Sequence, residues 1–281
     1  MKDYVAENER ILNEWRNHLN QYEYFAPDGI MYKGEFRGEY KYYEGDKYKF
    51  RWVRIPGGRE NNLWENAPLR LIFLTKDQNA SGDTAWDVRS ETYWAADENI
   101  TPNDRRLDTY SKFNKNLVYI LYGILNTTTI RPIDYNDITN KDALSFVDDS
   151  NCIFARINCK KEVGKEKCDP FVLKKAIDRD KKFLKQQILN LDADIFLCCG
   201  YDKSIKPTGS HILNFLNEIG YNFEQDSKEE TGEWIFYDKK TNKVAINSYH
   251  PSYSGFDYNG LIAAYSKFLN NHPNFTKSHR K

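Results

Sequence analysis

The sequence lacks an excess of charge of either sign. Among its 281 residues, 41 lysines and arginines balance 41 aspartates and glutamates, so the formal net charge at pH 7 is zero. A neutral chain has no overall field that would attract a polyanion such as nucleic acid. Any nucleic acid would therefore have to bind to a local basic patch.

Long apolar runs are also missing. The longest, Leu117 to Leu125, is about half the length that a membrane-spanning helix needs. The first residues, Met1 to Tyr4, contain no apolar signal segment. Two of the five cysteines, Cys198 and Cys199, lie side by side in an apolar run, which favours reduced thiols over a disulfide framework. We therefore expect a soluble, cytoplasmic monomer that does not associate with membranes.

The sequence does contain a regular alternation of apolar strands and helices over residues 68–270. Its strands are almost entirely apolar, as expected for parallel strands that are covered on both faces. The predicted strands are Leu69–Leu74, Cys152–Ile157, Ile195–Cys199, Trp234–Tyr237 and Val244–Ile246, and the predicted helices cover residues 1–20, 110–125, 170–191, 210–220 and 261–270. This alternation predicts an α/β fold, a three-layer α/β/α sandwich with a central, mainly parallel four-stranded sheet.

The segment from Tyr22 to Tyr48 is rich in tyrosine. Seven tyrosines alternate there with charged residues and glycines, a pattern that predicts short β-hairpins. They could form an aromatic surface for single-stranded nucleic acid or an accessory sheet packed on the main domain, and the alternation favours the accessory sheet. We therefore divide the chain into an N-terminal helix with a Tyr-rich hairpin arm, residues 1–66, and an α/β/α domain, residues 67–281.

Three polar residues follow or end separate predicted strands. Asp77 comes after the first strand, Asn158 ends the second, and His250 follows the last. Each has a simpler interpretation by itself: Asp77 as a cap of the next turn, Asn158 as a turn residue, and His250 as a packed loop histidine. Because ligands in open α/β sheets bind beyond the carboxyl ends of the strands, their joint placement predicts one shared pocket.

The ordered set of these motifs resembles the uracil-DNA glycosylase superfamily. Leu74-Thr75-Lys76-Asp77 stands where the family has an apolar strand ending in its water-directing aspartate. Ile157-Asn158 resembles the middle motif, and His250-Pro251-Ser252 matches the start of the last. Two helical segments, Ser111–Leu117 and Leu184–Ile195, also resemble the family, and the likeness covers about residues 68–270. The chain departs from the pattern at Thr75, where the family has glycine, and at Tyr253, where it has proline.

The resemblance implies a role for each of the three strand-end residues. Asp77 would orient water and stabilise the oxocarbenium-like sugar, as carboxylates do in glycoside hydrolysis. His250 would donate a hydrogen bond to the carbonyl of the departing base. Asn158 would bind the edge of a flipped pyrimidine, because an amide offers both a donor and an acceptor.

Further residues would bind the base and the DNA. An aromatic ring would stack on the flipped base, and the sequence leaves Trp86, Tyr93 and Trp94 as candidates. Phosphates would contact residues of the three polar loops, namely Ser81, Ser252, Lys160 and Lys161. No cysteine precedes Cys152, so the four cysteine ligands of the family's iron–sulfur branch cannot be assembled, and the resemblance implies no metal and no other cofactor.

These observations leave three hypotheses for the function. The first is a DNA glycosylase-like hydrolase that cleaves the N-glycosidic bond of a flipped deaminated base, uracil above all, with DNA as its partner. The second is a catalytically inactive nucleic-acid-binding relative with the same fold. The third is an enzyme that acts on a free nucleoside or nucleotide.

Overall fold

Seven α-helices and ten β-strands lie within the residues that the computed structural model describes, which are 2–20, 23–43, 47–78, 85–104, 106, 110–129, 131–149, 152–164, 168–228 and 234–275. The helices are α1 (Tyr4–Leu19), α2 (Glu60–Glu65), α3 (Lys112–Asn126), α4 (Asn140–Asp148), α5 (Pro170–Leu191), α6 (His211–Glu218) and α7 (Tyr258–Asn271). The strands are β1 (Gly29–Ile30), β2 (Phe36–Tyr43), β3 (Lys47–Arg54), β4 (Leu71–Thr75), β5 (Thr92–Trp94), β6 (Ala155–Asn158), β7 (Ile195–Cys199), β8 (Glu224–Lys228), β9 (Trp234–Asp238) and β10 (Lys243–Ser248).

The main sheet is mixed and has seven strands, in the order β1-β6-β4-β7-β10-β9-β8. Its four central strands, β6, β4, β7 and β10, are parallel to one another. An antiparallel β1 borders β6 at one edge, while β9 and β8 continue the sheet antiparallel at the other. The predicted mainly parallel sheet of four strands therefore corresponds to the centre, and the predicted strand Trp234–Tyr237 corresponds to β9, whereas β1 and β8 were not predicted as strands of this sheet.

Both faces of the central strands are buried, which explains why their sequences are continuously apolar. Because side chains alternate along a strand, Ile72 and Leu74 of β4 pack into one core cluster together with residues of α1, α5 and α6. Leu71 and Phe73 pack into a second cluster together with residues of α3, α4 and α7. Each of these four β4 side chains is completely buried.

The N-terminal segment belongs to the same core. Trp15 of α1 is fully buried, and its ring stacks on Phe183 of α5 with the centroids 5.8 Å apart. The two-residue strand β1 pairs with Ala155 and Arg156 of β6. Part of the predicted segment 1–66 is thus packed with the predicted domain 67–281, and a boundary at residue 66 remains a prediction about independent folding.

The tyrosine-rich segment contributes to a separate sheet of three strands. The two long strands pair antiparallel from Phe36 opposite Arg54 to Tyr43 opposite Lys47, and β5 pairs with β3. Arg54 connects this sheet to the main body, because its guanidinium forms ion pairs with Glu91 and with Asp148 at the end of α4.

Capping residues define the helices that border the site. The side chain of Asp169 accepts hydrogen bonds from the N–H groups of Phe171 and Val172, and Pro170 occupies the first turn of α5. Ser111 caps α3 by accepting from the N–H of Asn114. Among the described residues, no helix is both long and apolar enough to cross a membrane.

Candidate functional site

A cavity of about 1030 Å³ lies beside the carboxyl ends of the parallel strands. Its volume is at the upper end of the range that small-molecule sites occupy. The residues that line it include Asp77, Trp86, Phe113, Arg156, His250 and Ser252. The structure therefore brings together four residues of the sequence-predicted site, and adds Phe113 and Arg156.

The loop after β10 holds His250 against α3. Asn116 of that helix donates a hydrogen bond of 2.6 Å from its Nδ2 to the carbonyl of Pro251. The His250 ring stacks on Phe113, with the ring centroids 5.1 Å apart and the planes 29° from parallel. Helix and loop together fix the direction of the imidazole.

The hydrogen bonds of His250 assign its tautomer. The Oγ of Ser252 lies 2.7 Å from Nδ1, and the backbone N–H of Ser252 points at the same nitrogen over 3.4 Å. A backbone N–H can only donate, so Nδ1 is the acceptor and the neutral ring carries its proton on Nε2. His250 can thus offer one N–H donor to a ligand.

His250 is neutral at physiological pH. Burial, followed by the positive charges of Lys76 and Arg156, lowers its pKa from 6.5 to about 4. A neutral imidazole that donates without being charged suits the stabilisation of negative charge that develops on a departing group.

Asp77 lies two residues beyond β4 and is held by its neighbours on the β6 side. Its Oδ2 is 3.3 Å from the Nζ of Lys160, which also donates to the carbonyl of Glu162 over 2.6 Å. Burial raises the pKa of Asp77, and the charge of Lys160 opposes this. A Cβ at Gly164 would collide with the same carboxylate oxygen, so a larger residue at this position would displace the Asp77 side chain.

Asn158 is placed differently from the other predicted residues, because it does not line the cavity. Its side chain is fully buried, and its Oδ1 accepts a hydrogen bond of 2.6 Å from the hydroxyl of Thr75 on the neighbouring strand. Its Nδ2 is buried without a hydrogen-bond partner in the described part of the chain. Binding of a base edge by this amide therefore stays a prediction.

The candidate stacking aromatics separate into two groups. Trp86 lines the cavity, and both its backbone N–H and its carbonyl are bonded to the side-chain amide of Gln78. Tyr93 is buried in β5 and does not line the cavity, while the exposed Trp94 carries the Arg51 guanidinium 5.5 Å from its ring centre. Of these three candidates, only Trp86 lines the same cavity as His250.

The predicted phosphate ligands are also separated. Ser252 lines the cavity. Lys160 does not line it but forms an ion pair with Asp77, which does. Lys161 is fully buried with its Nζ 2.5 Å from Asp28, which contradicts its predicted place in an exposed basic patch. Ser81 lies outside the described residues.

Two residues that line the cavity were not predicted as site residues from the sequence. Phe113 reads as a core position on the apolar face of a helix, and Arg156 lies inside a strand that is otherwise apolar. The signal for Arg156 is the charge itself, because an arginine in a buried strand needs a partner or an opening. The described part of the chain contains no cluster of His, Cys, Asp or Glu side chains arranged to hold a metal ion.

Comparisons with known proteins do not assign the chain to a family. No protein-family model matches it, and no curated protein matches it. The resemblance to the uracil-DNA glycosylase superfamily therefore rests on the motif residues and their order.

Proposed function

We propose that this protein hydrolyses an N-glycosidic bond, as a DNA glycosylase-like enzyme that acts on a flipped deaminated base such as uracil. The observation that carries the proposal is that Asp77 and His250, which follow different strands and are far apart in the sequence, line one cavity. The proposed fold is a three-layer α/β/α sandwich with an N-terminal helix and a Tyr-rich β-hairpin arm.

In the proposed reaction, charge separates along the bond that breaks. The base leaves with the bonding electron pair, so negative charge develops on it and positive charge on the sugar. Asp77 stabilises the positive centre and orients the water whose hydroxyl adds to the anomeric carbon. The Nε2–H of His250 donates a hydrogen bond to the base carbonyl that gains negative charge, and the base finally takes up a proton.

The remaining predicted residues have supporting roles in this proposal. Trp86 stacks on the flipped base, since it is the candidate aromatic that borders the cavity. Asn158, which does not line the cavity, would bind the base edge through its unpaired Nδ2 only if its buried side chain moves towards the cavity. Ser252 contacts a phosphate. Lys160 positions Asp77 through their ion pair. DNA is the proposed partner, and no metal or other cofactor takes part.

The proposal is tested by incubating the full-length protein with single- and double-stranded oligonucleotides that contain one uracil, and by quantifying abasic sites. Asp77→Asn and His250→Ala should each reduce base release by about 100-fold or more, as loss of one such group typically does. Asp178→Asn and His18→Ala are matched controls on exposed helix surfaces and should keep full activity. Unchanged uracil in both oligonucleotides with the folded wild-type protein would contradict the proposal.

A free nucleoside or nucleotide is the second candidate substrate. Two observations favour it: the chain has no net positive charge for DNA phosphates, and the cavity has the volume of a small-molecule site. The same assay with free deoxynucleosides and nucleotides, followed by quantification of the released base, separates the two substrate classes.

A further inference from the structure

Arg156 of β6 is a cation on the inner wall of the cavity. Its guanidinium carbon lies 4.4 Å from the centre of the Phe113 ring, on which His250 also stacks. The side chain keeps some accessible surface, yet burial lowers its pKa to about 10. Both observations agree if the exposed part of the side chain faces the cavity interior rather than the outer surface of the protein.

Arg156 contacts the Phe113 ring but has no hydrogen-bonding or ion-pair partner among the described residues. No hydrogen bond or ion pair joins its side chain to another described residue, and its Nε is buried without an acceptor. Asp28 is the acid that acts most on it electrostatically. However, the two oxygens of Asp28 already accept from Lys161 and from the N–H of Asn158.

Three other charged residues that line the cavity, a second arginine, a lysine and an aspartate, have partners within the protein. Arg54 forms ion pairs with Glu91 and Asp148, and the Nζ of Lys33 donates to backbone carbonyls. The carboxylate of Asp77 belongs to Lys160. The contrast with Arg54 matters most, because both arginines line the same space and, within the described part of the chain, only Arg54 has carboxylate partners.

An unpaired guanidinium in this position is costly. Arginine does not lose its proton in proteins, so it cannot become neutral as a buried lysine does. A buried charge without a partner destabilises the folded state, because nothing compensates for its lost hydration. A protein that retains such a residue is less stable without a ligand than with one that supplies the missing negative charge.

We propose that Arg156 is the centre of an anion-binding subsite that receives a phosphate ester of the substrate inside the cavity. The planar fork of its N–H donors matches two phosphate oxygens at once. Ser111, Lys112 and Phe113 place the first turn of α3 on the same wall, and that turn contains no acidic residue. A helix N-terminus beside an unpaired cation adds further N–H groups and a favourable dipole for an anion.

A neutral base alone would leave this charge uncompensated. The carbonyl of a base needs one donor, which the Nε2–H of His250 can provide. The subsite therefore deepens the proposed function and rests on it only for the identity of the rest of the substrate. The phosphate could be the terminal monoester of a free nucleotide or the internal diester of a strand.

Calorimetric titration of the full-length protein tests this without turnover. The ligands are inorganic phosphate, deoxyuridine, deoxyuridine monophosphate and a uracil-containing oligonucleotide. Arg156→Gln should weaken phosphate binding by about 10- to 100-fold, the range for a hydrogen bond to a charged group. Arg156→Lys keeps the positive charge but loses the planar pair of N–H donors, so its phosphate affinity should lie between those of the wild type and Arg156→Gln. Arg131→Gln, at an exposed ion pair, is the matched control and should bind as the wild type does.

A thermal measurement gives an independent readout. In phosphate-free buffer, Arg156→Gln should raise Tm by roughly 2 °C or more because the uncompensated charge is gone. Phosphate should raise Tm of the wild type and leave that of Arg156→Gln unchanged.

The outcomes separate this subsite from the proposed activity. Phosphate binding that depends on Arg156, together with absent base release, supports the subsite and contradicts the glycosylase proposal. Stronger binding of the monophosphate than of the nucleoside indicates a monoester, and Arg156-dependent binding of the oligonucleotide alone indicates a diester. Equal phosphate affinity of the wild type and Arg156→Gln, or no binding at millimolar phosphate, overturns the subsite.

Discussion

The charged residues on the two sides of β6 differ in whether they have partners of opposite charge. On one side, the Nζ of Lys161 lies 2.6 and 2.5 Å from the two carboxylate oxygens of Asp28. Gln187 and Asn8 complete that network with further hydrogen bonds. On the other side, Arg156 borders the cavity and has no carboxylate partner among the described residues.

This difference distinguishes a charged pair that stabilises the fold from a charged residue that can bind a ligand. The Asp28–Lys161 pair is complete within the protein and leaves nothing for a ligand to add. Its Asp28 oxygen also accepts from the backbone N–H of Asn158, so the pair fixes the end of β6 from which Lys160 reaches Asp77. Arg156 is incomplete, and that is the property expected of a binding residue.

The largest effect should come from breaking the complete network. Asp28→Ala leaves Lys161 buried without its counter-charge, and the free energy of unfolding should fall by about 3–5 kcal/mol. Urea denaturation followed by circular dichroism measures this. Arg156→Gln, measured in parallel, should not lower the free energy of unfolding.

A double variant provides the control for that prediction. Asp28→Leu with Lys161→Met removes both charges and should recover part of the loss, because no ion is left unpaired. Equal destabilisation by Asp28→Ala and Arg156→Gln would show that the two sides of β6 do not differ in the way described.

A smaller loss of stability is expected from a substitution at Gly164, which lies against the carboxylate of the catalytic candidate Asp77. Because a Cβ at Gly164 would collide with the Asp77 carboxylate, Gly164→Ala should displace that carboxylate from Lys160. Overpacking of this kind costs about 1–3 kcal/mol of stability, and base release should fall as well.

A double-mutant cycle isolates the cause. With Asp77→Ala already present, Gly164→Ala has no carboxylate to displace, so its destabilising effect should largely disappear. Additive stability losses in the two backgrounds would exclude the contact with Asp77 as their origin.

Local sequence features predict much of the framework. The four parallel strands are continuously apolar because both faces of β4, β6, β7 and β10 are covered. The Asp169-Pro170 pair predicts the start of α5, where the acid caps the free N–H groups. The strand-end positions of Asp77 and His250 predict the shared cavity, because parallel strands end at one edge.

Long-range contacts explain what the sequence does not predict. The two residues of β1 form a strand only because they meet β6, more than 100 residues later. Asn158 stands at a predicted site position, yet its Oδ1 is occupied because the strand register places Thr75 beside it. The charge of Arg156 marks it in an apolar strand, but its role depends on which face of β6 borders the cavity, and that is set by long-range packing.

The smallest effect tests how closely Arg156 and His250 are coupled. Since the positive charge of Arg156 contributes to the lowered pKa of His250, Arg156→Gln should raise that pKa above about 4. In the wild type, bound phosphate should also raise the pKa of His250, because negative charge favours the imidazolium. Titration of the His250 ring signals by NMR measures both changes, with His211, whose charged neighbours do not include Arg156, as the internal control.

The same shift has a consequence for stability. The folded state binds the His250 proton more weakly than the unfolded state, whose pKa is near 6.5, so stability should fall as the pH drops from 6.5 towards 4. His250→Gln should remove that part of the pH dependence, and Arg156→Gln should make it shallower. A His250 titration that neither the substitution nor phosphate alters would separate the two residues electrostatically and leave Arg156 without a connection to the proposed chemistry.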